Sequence, residues 1–371
     1  MEEKKPVVLQ VLPELDQGGV EIGTLEIASE LQKKGGRLVH GLERMKIKHF
    51  KLPLKTKNPF KMYLNSLKLE KIIKQNSINI VHARSRAPAW SAYWAAKRAG
   101  VKFLTTFHGT YGLGPKGIKK FYNRVMTYGD LVIAISKHIK EHMIENYGVD
   151  ENKIRLVYRC VNTEKFNPDE VNVERMIKIM EDHNLPEDKR IILLVGRLTR
   201  WKGQKLLIEA LSKIKDEEVF CVFVGDDQGR EYYTNELKDY IKEKDMEGKF
   251  AFIRHLDDVP AMMMLSDVVV SASTDPEAFG RIAAEGQAMG KLVVASNIGG
   301  SLENIKNGVS GKLFESGDAD SLARTLKWAL SLSSKERENF AEEGKKNVKE
   351  NFTKQIMCDK TLAVYNELLN K

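Results

Sequence analysis

Cysteine is scarce in this 371-residue chain: Cys160, Cys221 and Cys358 lie far apart and form no C-x-x-C pair. That excludes a disulfide framework or a cysteine-built zinc site and suits a reducing cytoplasm. No run approaches the roughly 18 to 20 uncharged apolar residues of a membrane-spanning helix. The first residues, MEEKKPVVLQVL, read as a charged lead into a short strand without a cleavage site, so neither a signal peptide nor an integral membrane protein is expected. Low-complexity segments are absent. With 42% hydrophobic and 30% charged residues the chain is globular, and its length implies two domains.

Acidic residues are also few in the first half. Residues 1–168 hold 30 Lys and Arg against 15 Asp and Glu, whereas the remainder holds 30 against 36. One half is thus built to face something anionic. The densest stretch, Lys33 to Lys61, contains ten cations and a single acid, Glu43. A second patch, Lys116, Lys119, Lys120 and Arg124, alternates with Ile118, Phe121, Tyr122 and Val125. That pattern suits an anionic membrane surface, although a solvated basic face explains it equally. Nucleic acid is the weaker partner, because no helix-turn-helix, RNP or zinc-finger pattern accompanies the charge.

Short β-branched runs alternate with helical patterns throughout. Strands are expected at 7–12, 80–82, 102–107, 131–134 and 154–158, and then at 191–195, 219–224, 250–253, 268–271, 292–295 and 312–314. Nearly continuous apolar strands separated by helices indicate parallel sheets covered on both faces, hence two doubly wound α/β domains. The polar stretch 162–189 is the expected junction, which gives domains 1–165 and 166–351 and a final helical segment, 352–371.

Ligands of open α/β sheets bind beyond the carboxyl ends of strands, so loops that follow strands carry the candidates. Gly18-Gly19 follows the first strand and permits close backbone approach to a phosphate or sugar; a plain tight turn is the alternative. Without a full G-x-G-x-x-G, a nicotinamide-binding oxidoreductase is disfavoured. Arg84, Ser85 and Arg86 follow the second strand, and His108 the third. Gly196-Arg197, with Lys202-Gly203, offers a planar guanidinium and a point charge to a diphosphate. In Pro276 to Glu285, two carboxylates stand eight residues apart across a helix start, with the amides of Phe279, Gly280 and Arg281 between them. The pairs Asp226-Asp227 and Asp257-Asp258 lack further ligands at a metal-binding spacing and read as turn residues.

Gly18-Gly19, Thr106-Phe107-His108-Gly109, Ala134-Ile135-Ser136-Lys137, Gly196-Arg197 with Lys202-Gly203, Pro276 to Glu285, and Ile298-Gly299-Gly300 stand in one order along nearly the whole chain. In this the sequence resembles the retaining glycosyltransferases of the GT-B fold that carry an E-x7-E motif, the family 4, group 1 type. The resemblance implies two Rossmann-like domains facing a cleft, the first holding the acceptor and the second a nucleotide-sugar. It implies that Glu277 binds donor-sugar hydroxyls, that Glu285 binds the ribose, and that Arg197 and Lys202 neutralise the diphosphate. The amides near Phe279, Gly280 and Arg281 and the Gly18-Gly19 loop would assist. His108 would contact the sugar near the reacting carbon, and Arg84, Ser85 and Arg86 would lie on the acceptor side. No metal or other cofactor is implied. Acceptors would be lipid-linked sugars or growing polysaccharides, handled peripherally at the cytoplasmic membrane face in cell-envelope glycan synthesis.

The chain departs from the family twice. Arg159-Cys160-Val161-Asn162 replaces an Asn-Gly-Val-Asp turn, a change expected to stiffen the linker without touching the chemistry. Residues 35–54 leave no room for the family's second strand, so the first domain is expected to lack one. A degenerate, non-catalytic nucleotide-sugar binder is the alternative function this second departure raises.

Overall fold

In a computed structural model of the chain, the described residues are 5–13, 24, 27, 48–112, 114 and 117–370. The chain divides into two compact units, Met1–Cys160 with Lys354–Lys371, and Val161–Thr353. The first break falls five residues before the junction read from the sequence. Gly18, Gly19, Lys116 and residues 28–47 lie outside the described residues.

The first unit is built on five parallel strands in the sequential order β1 (Val8–Val11), β2 (Ile80–Ala83), β3 (Lys102–Phe107), β4 (Leu131–Ala134) and β5 (Ile154–Leu156). Strand β2 is buried throughout, as a parallel strand covered on both faces must be. The expected missing strand concerns residues 35–54. Of these only 48–54 are described, and they contain no strand. Helix α1 (Pro59–Gln75) starts where the Asn58 side chain accepts from the Lys61 amide and Pro59 occupies the first turn. It lies on α2 (Arg86–Ala99), where Ser91 Oγ donates to the Met62 carbonyl at 2.9 Å and Arg98 reaches Glu70 and Ser66. Two further helices follow, α3 (Ile118–Asn123) and α4 (Lys137–Tyr147), the latter capped by Ser136.

Among its described residues, the amphipathic stretch read at 116–125 is not one helix. It breaks at Arg124 into a 3-10 turn, so Val125 points into the core while Phe121 is 68% exposed. A four-residue apolar pattern cannot distinguish these two outcomes, because core packing of Val125 and Met126 overrides the helical period.

The second unit has six parallel strands: β6 (Arg190–Val195), β7 (Val219–Val224), β8 (Phe250–Ile253), β9 (Val268–Ser271), β10 (Leu292–Ser296) and β11 (Lys312–Phe314). Their order is β11-β10-β9-β6-β7-β8. The chain winds outward from β6 in one direction, then returns to place β9 on its other side. The switch point therefore lies between β6 and β9, where loops leave in opposite directions and open a crevice. Helices α5 (Val173–Asp182), α6 (Gln204–Ser212), α7 (Glu231–Glu243), α8 (Val259–Leu265), α9 (Arg281–Ala288), α10 (Ser301–Asn304), α11 (Ala319–Ser331) and α12 (Ser334–Asn351) complete the unit.

The last helix, α13 (Lys354–Asn370), belongs to the first unit. Its Met357, Cys358, Val364, Tyr365 and Leu368 share a core with Ile80, Leu104 and Leu131. Within that core His82 is wholly buried, with Nδ1 2.8 Å from Tyr365 Oη and Nε2 2.7 Å from Thr106 Oγ1. Burial, and then the neighbouring Arg84, push the His82 pKa well below its ordinary value, so the ring stays neutral. Tyr365→Phe removes a partner from this imidazole without changing shape. Its expected effect is a loss of about 1 to 3 kcal/mol from the first unit, the cost of one unsatisfied buried polar group, measured by urea unfolding. An unchanged midpoint would show the bond to be dispensable.

Candidate active site

Both loops at the switch point carry residues singled out by the sequence. After β6 the chain passes Gly196 and Arg197, makes a 3-10 turn over Arg200–Lys202, and enters α6 at Gly203. Gly203 has φ +74°, and a Cβ there would stand 1.8 Å from the Ala272 carbonyl oxygen just beyond β9. Only glycine lets the two loops touch. The Thr274 amide donates to the Trp201 carbonyl at 2.8 Å, which ties them again.

This closeness brings Lys202 and Glu277 together. Lys202 Nζ lies 2.7 Å from Glu277 Oε1, with the two side chains 13% and 12% exposed. Ser273 Oγ donates to the same carboxylate oxygen at 2.5 Å, and the ammonium also lies 4.5 Å from the Trp201 ring centroid. Nothing in the sequence singles out Ser273; its place two residues beyond β9 is the only signal. Arg197 is exposed on the same loop and has no ion-pair partner among the described residues.

Beyond Glu277 the backbone is braced from behind. The Gly300 amide donates to the Glu277 carbonyl at 2.8 Å, and a Cβ on Gly300 would come within 2.6 Å of Phe279 backbone. Asn304 Nδ2 donates to the Phe279 and Gly280 carbonyls. Gln287 and Asn347 in turn hold the Asn304 carbonyl, at 2.9 and 2.7 Å. These amides fix the start of α9, whose dipole puts partial positive charge at Gly280 and Arg281.

Glu285, one turn into α9, is 3% exposed and paired with Arg281 at 2.8 Å. Burial raises its pKa, opposed by Arg281 and by Lys165. Among the described residues no hydrogen bond or ion pair joins it to Glu277. The aspartate pairs are engaged structurally: Asp227 accepts from the Gly229 amide at 2.9 Å, and Asp258 caps α8 through the Ala261 amide while holding Arg175.

On the first unit, Arg84 is 3% exposed and donates to Gln10 Oε1 at 3.0 Å. Ser85 caps α2 with extended backbone. Arg86 donates to Asn123 Oδ1 at 3.2 Å and lies 4.4 Å from the Tyr111 ring centroid. His108 Nδ1 lies 3.4 Å from Arg159 Nη1. Arg159, from the altered turn, therefore reaches the same rim as His108. A side chain from the chain leaving β5 reaches the same sheet edge as the one ending β3.

Two measurements test this geometry. Gly203→Ala is expected to lower the stability of the second unit by roughly 2 to 4 kcal/mol, through strain and overlap with Ala272, read as a depressed melting temperature. Glu285→Gln is expected to raise that melting temperature at neutral pH. A carboxyl whose folded pKa is raised favours the fold only in its protonated form, and that contribution is lost as pH climbs through the raised pKa. The gain should vanish below the ordinary carboxylate range, and a gap independent of pH would refute the burial penalty.

Residues 176–347 match the family described as glycosyl transferases group 1, and residues 17–165 match glycosyltransferase family 4. The chain is similar to the crystal structure of a glycosyltransferase from Rickettsia africae ESF-5, with 40% identity over 99% of each chain and a TM-score of 0.90. It is 26% identical to the N-acetyl-alpha-D-glucosaminyl L-malate synthase of Bacillus anthracis, over 84% of this chain and 80% of that protein. Its fold is also similar to that of Anabaena HepE, solved in complex with UDP and glucose, at 21% identity, 97% and 99% coverage and a TM-score of 0.83. With both units matched by glycosyltransferase families and a solved glycosyltransferase aligned along the full length, the chain belongs to the glycosyltransferases of the GT-B fold.

Proposed function

We propose that the chain is a retaining, metal-independent hexosyltransferase that moves a sugar from a nucleotide-diphosphate sugar to a lipid-linked or polysaccharide acceptor of the cell envelope. The observation that carries this is the Lys202–Glu277–Ser273 cluster at the switch point, beside the start of α9. In such a transfer the barrier is the separation of an oxocarbenium-like sugar from a dianionic leaving group. Fixed cations and a helix N-terminus stabilise that charge as it develops. Without donor, Glu277 balances Lys202. An arriving diphosphate competes for the ammonium, which frees Glu277 for sugar hydroxyls, while exposed Arg197 supplies the second cation. Glu285 takes the ribose. A uridine nucleotide is the donor we favour, because the similar HepE binds UDP and glucose. His108 contacts the transferred sugar, and acceptor attack occurs on the face the leaving group vacates, with no covalent intermediate. Arg84, Ser85 and Arg86 serve the acceptor.

Peripheral binding at the cytoplasmic membrane face completes the proposal. Helix α1 exposes Phe60 (70%), Tyr63, Leu64 and Leu67 beside Lys61, Lys68 and Lys71, and exposed Phe121 has Lys119, Lys120 and Arg124 around it. Aromatic side chains ringed by cations suit an interface with anionic lipid, at about 1 kcal/mol per cation near the surface. No described helix is long and apolar enough to cross a membrane.

Glu277→Ala, Lys202→Ala and Arg197→Ala are each expected to reduce turnover by about 10² to 10³, the scale of one lost transition-state partner. Full turnover in the two cation variants would sink the diphosphate assignment. In flotation assays, vesicles containing anionic lipid should retain the protein and neutral vesicles should not. Phe60→Ser with Phe121→Ser should weaken retention; binding that ignores lipid charge would defeat the membrane part.

A further inference from the structure

We infer that Arg159 is a positioning residue which fixes His108 as a neutral imidazole carrying its hydrogen on Nε2, so that the ring presents a donor, never an acceptor, to the sugar. This rests on the proposed contact of His108 with the transferred sugar and adds the hydrogen-bonding polarity of that contact. The step is one of elimination. A guanidinium has only N–H groups and cannot accept, so Nδ1 of His108, 3.4 Å from Arg159 Nη1, must offer its lone pair. The ring hydrogen then resides on Nε2. That atom is shielded from solvent and has no hydrogen-bond partner among the described residues, so the one donor the ring retains is unused by them.

The surroundings hold this state. Arg159 is itself 7% exposed, and its guanidinium is held in the rim rather than swinging into solvent. Among the described residues, the charged and titratable groups facing the ring are Arg84 beyond β2, Arg159 beyond β5, His82 within β2 and Tyr111. Burial first, then Arg84, Arg159 and His82, press the His108 pKa well below its ordinary value, so the imidazolium is disfavoured. A donor held in place matches a sugar hydroxyl oxygen or ring oxygen, and discriminates against a substituent that can only donate.

Arg159 stands where the turn of the family the sequence resembles usually has asparagine, and asparagine, with both donor and acceptor atoms, would leave the tautomer open. The experiment is a long-range ¹H–¹⁵N correlation spectrum of the ¹⁵N-histidine-labelled full chain, with the His108 ring assigned from its loss in His108→Gln. The wild-type ring should show a protonated Nε2 and an unprotonated Nδ1. Arg159→Asn should shift it to a tautomer mixture, and Arg159→Lys, which still donates, should restore the Nε2–H form. With UDP-glucose as the probe, Arg159→Asn should lower kcat/KM by about tenfold, the worth of one net hydrogen bond, with recovery in Arg159→Lys. A wild-type ring protonated on Nδ1 would overturn the inference whether or not the variants fold, and so would an unchanged tautomer in folded Arg159→Asn. A tautomer that shifts while His108→Gln leaves turnover intact would uphold the coupling and overturn the sugar contact instead.

Discussion

A parallel strand buried on both faces can keep polar atoms only where its chain leaves the sheet, and in a doubly wound sheet every strand leaves toward the same rim. Polar chemistry is thereby concentrated at that rim. In the second unit the order β11-β10-β9-β6-β7-β8 also separates the outgoing chains of β6 and β9. Lys202 comes from one of those chains and Glu277 from the other, and they meet at 2.7 Å although 75 residues apart. Gly203 makes the meeting possible, because any side chain there would strike the Ala272 carbonyl. Backbone sterics, strand order and the ion pair are thus consequences of a single arrangement.

The strands were legible because a doubly covered parallel strand is written as a short unbroken apolar run. Lys102–Phe107, Val219–Val224 and Val268–Ser271 begin and end where such runs do. The loops bearing Arg197, Lys202, Glu277 and His108 were legible for the related reason that they follow strands. What joins them was not. Lys202 and Glu277 were separate candidates, and only the strand order makes them partners. Ser273 and Asn304 carry no pattern of their own, since a serine beyond a strand and an asparagine near a short helix are ordinary. Arg159 was set aside for a different cause. It was weighed as part of a turn, along the chain, whereas its effect runs across the sheet edge to His108. The stretch around Phe121 shows the limit of periodicity, because too few residues lie between Ile118 and Val125 for a helix and a broken helix to differ in pattern.

The two rims solve the problem of held charge differently. In the second unit each of the two carboxylates of the candidate site has an opposite neighbour: Glu277 has Lys202, and Glu285 has Arg281. Such pairs cost desolvation energy and repay it only partly, so their value lies in being exchangeable. A ligand that offers a better anion to Lys202 releases a carboxylate at the same moment, and the site binds by trading partners rather than by filling a void. The first unit instead gathers like charge, with burial first and then Arg84 and Arg159 disfavouring the charged form of His108.

Repulsion of that kind lowers stability unless other contacts hold the fold, and here the buried His82–Tyr365–Thr106 chain ties the sheet to α13 directly beneath the cationic edge. Tyr365 comes from a segment more than 280 residues away in sequence from His82. The first unit's rim is therefore not completed by its own contiguous stretch of chain. It depends on the return of the last helix, which supplies a neutral, fully hydrogen-bonded support for a place where positive charge accumulates. This arrangement accounts for a buried histidine in a strand whose other three positions are apolar. An aliphatic residue at 82 would pack as well but would leave Tyr365 Oη and Thr106 Oγ1 without this partner in the core.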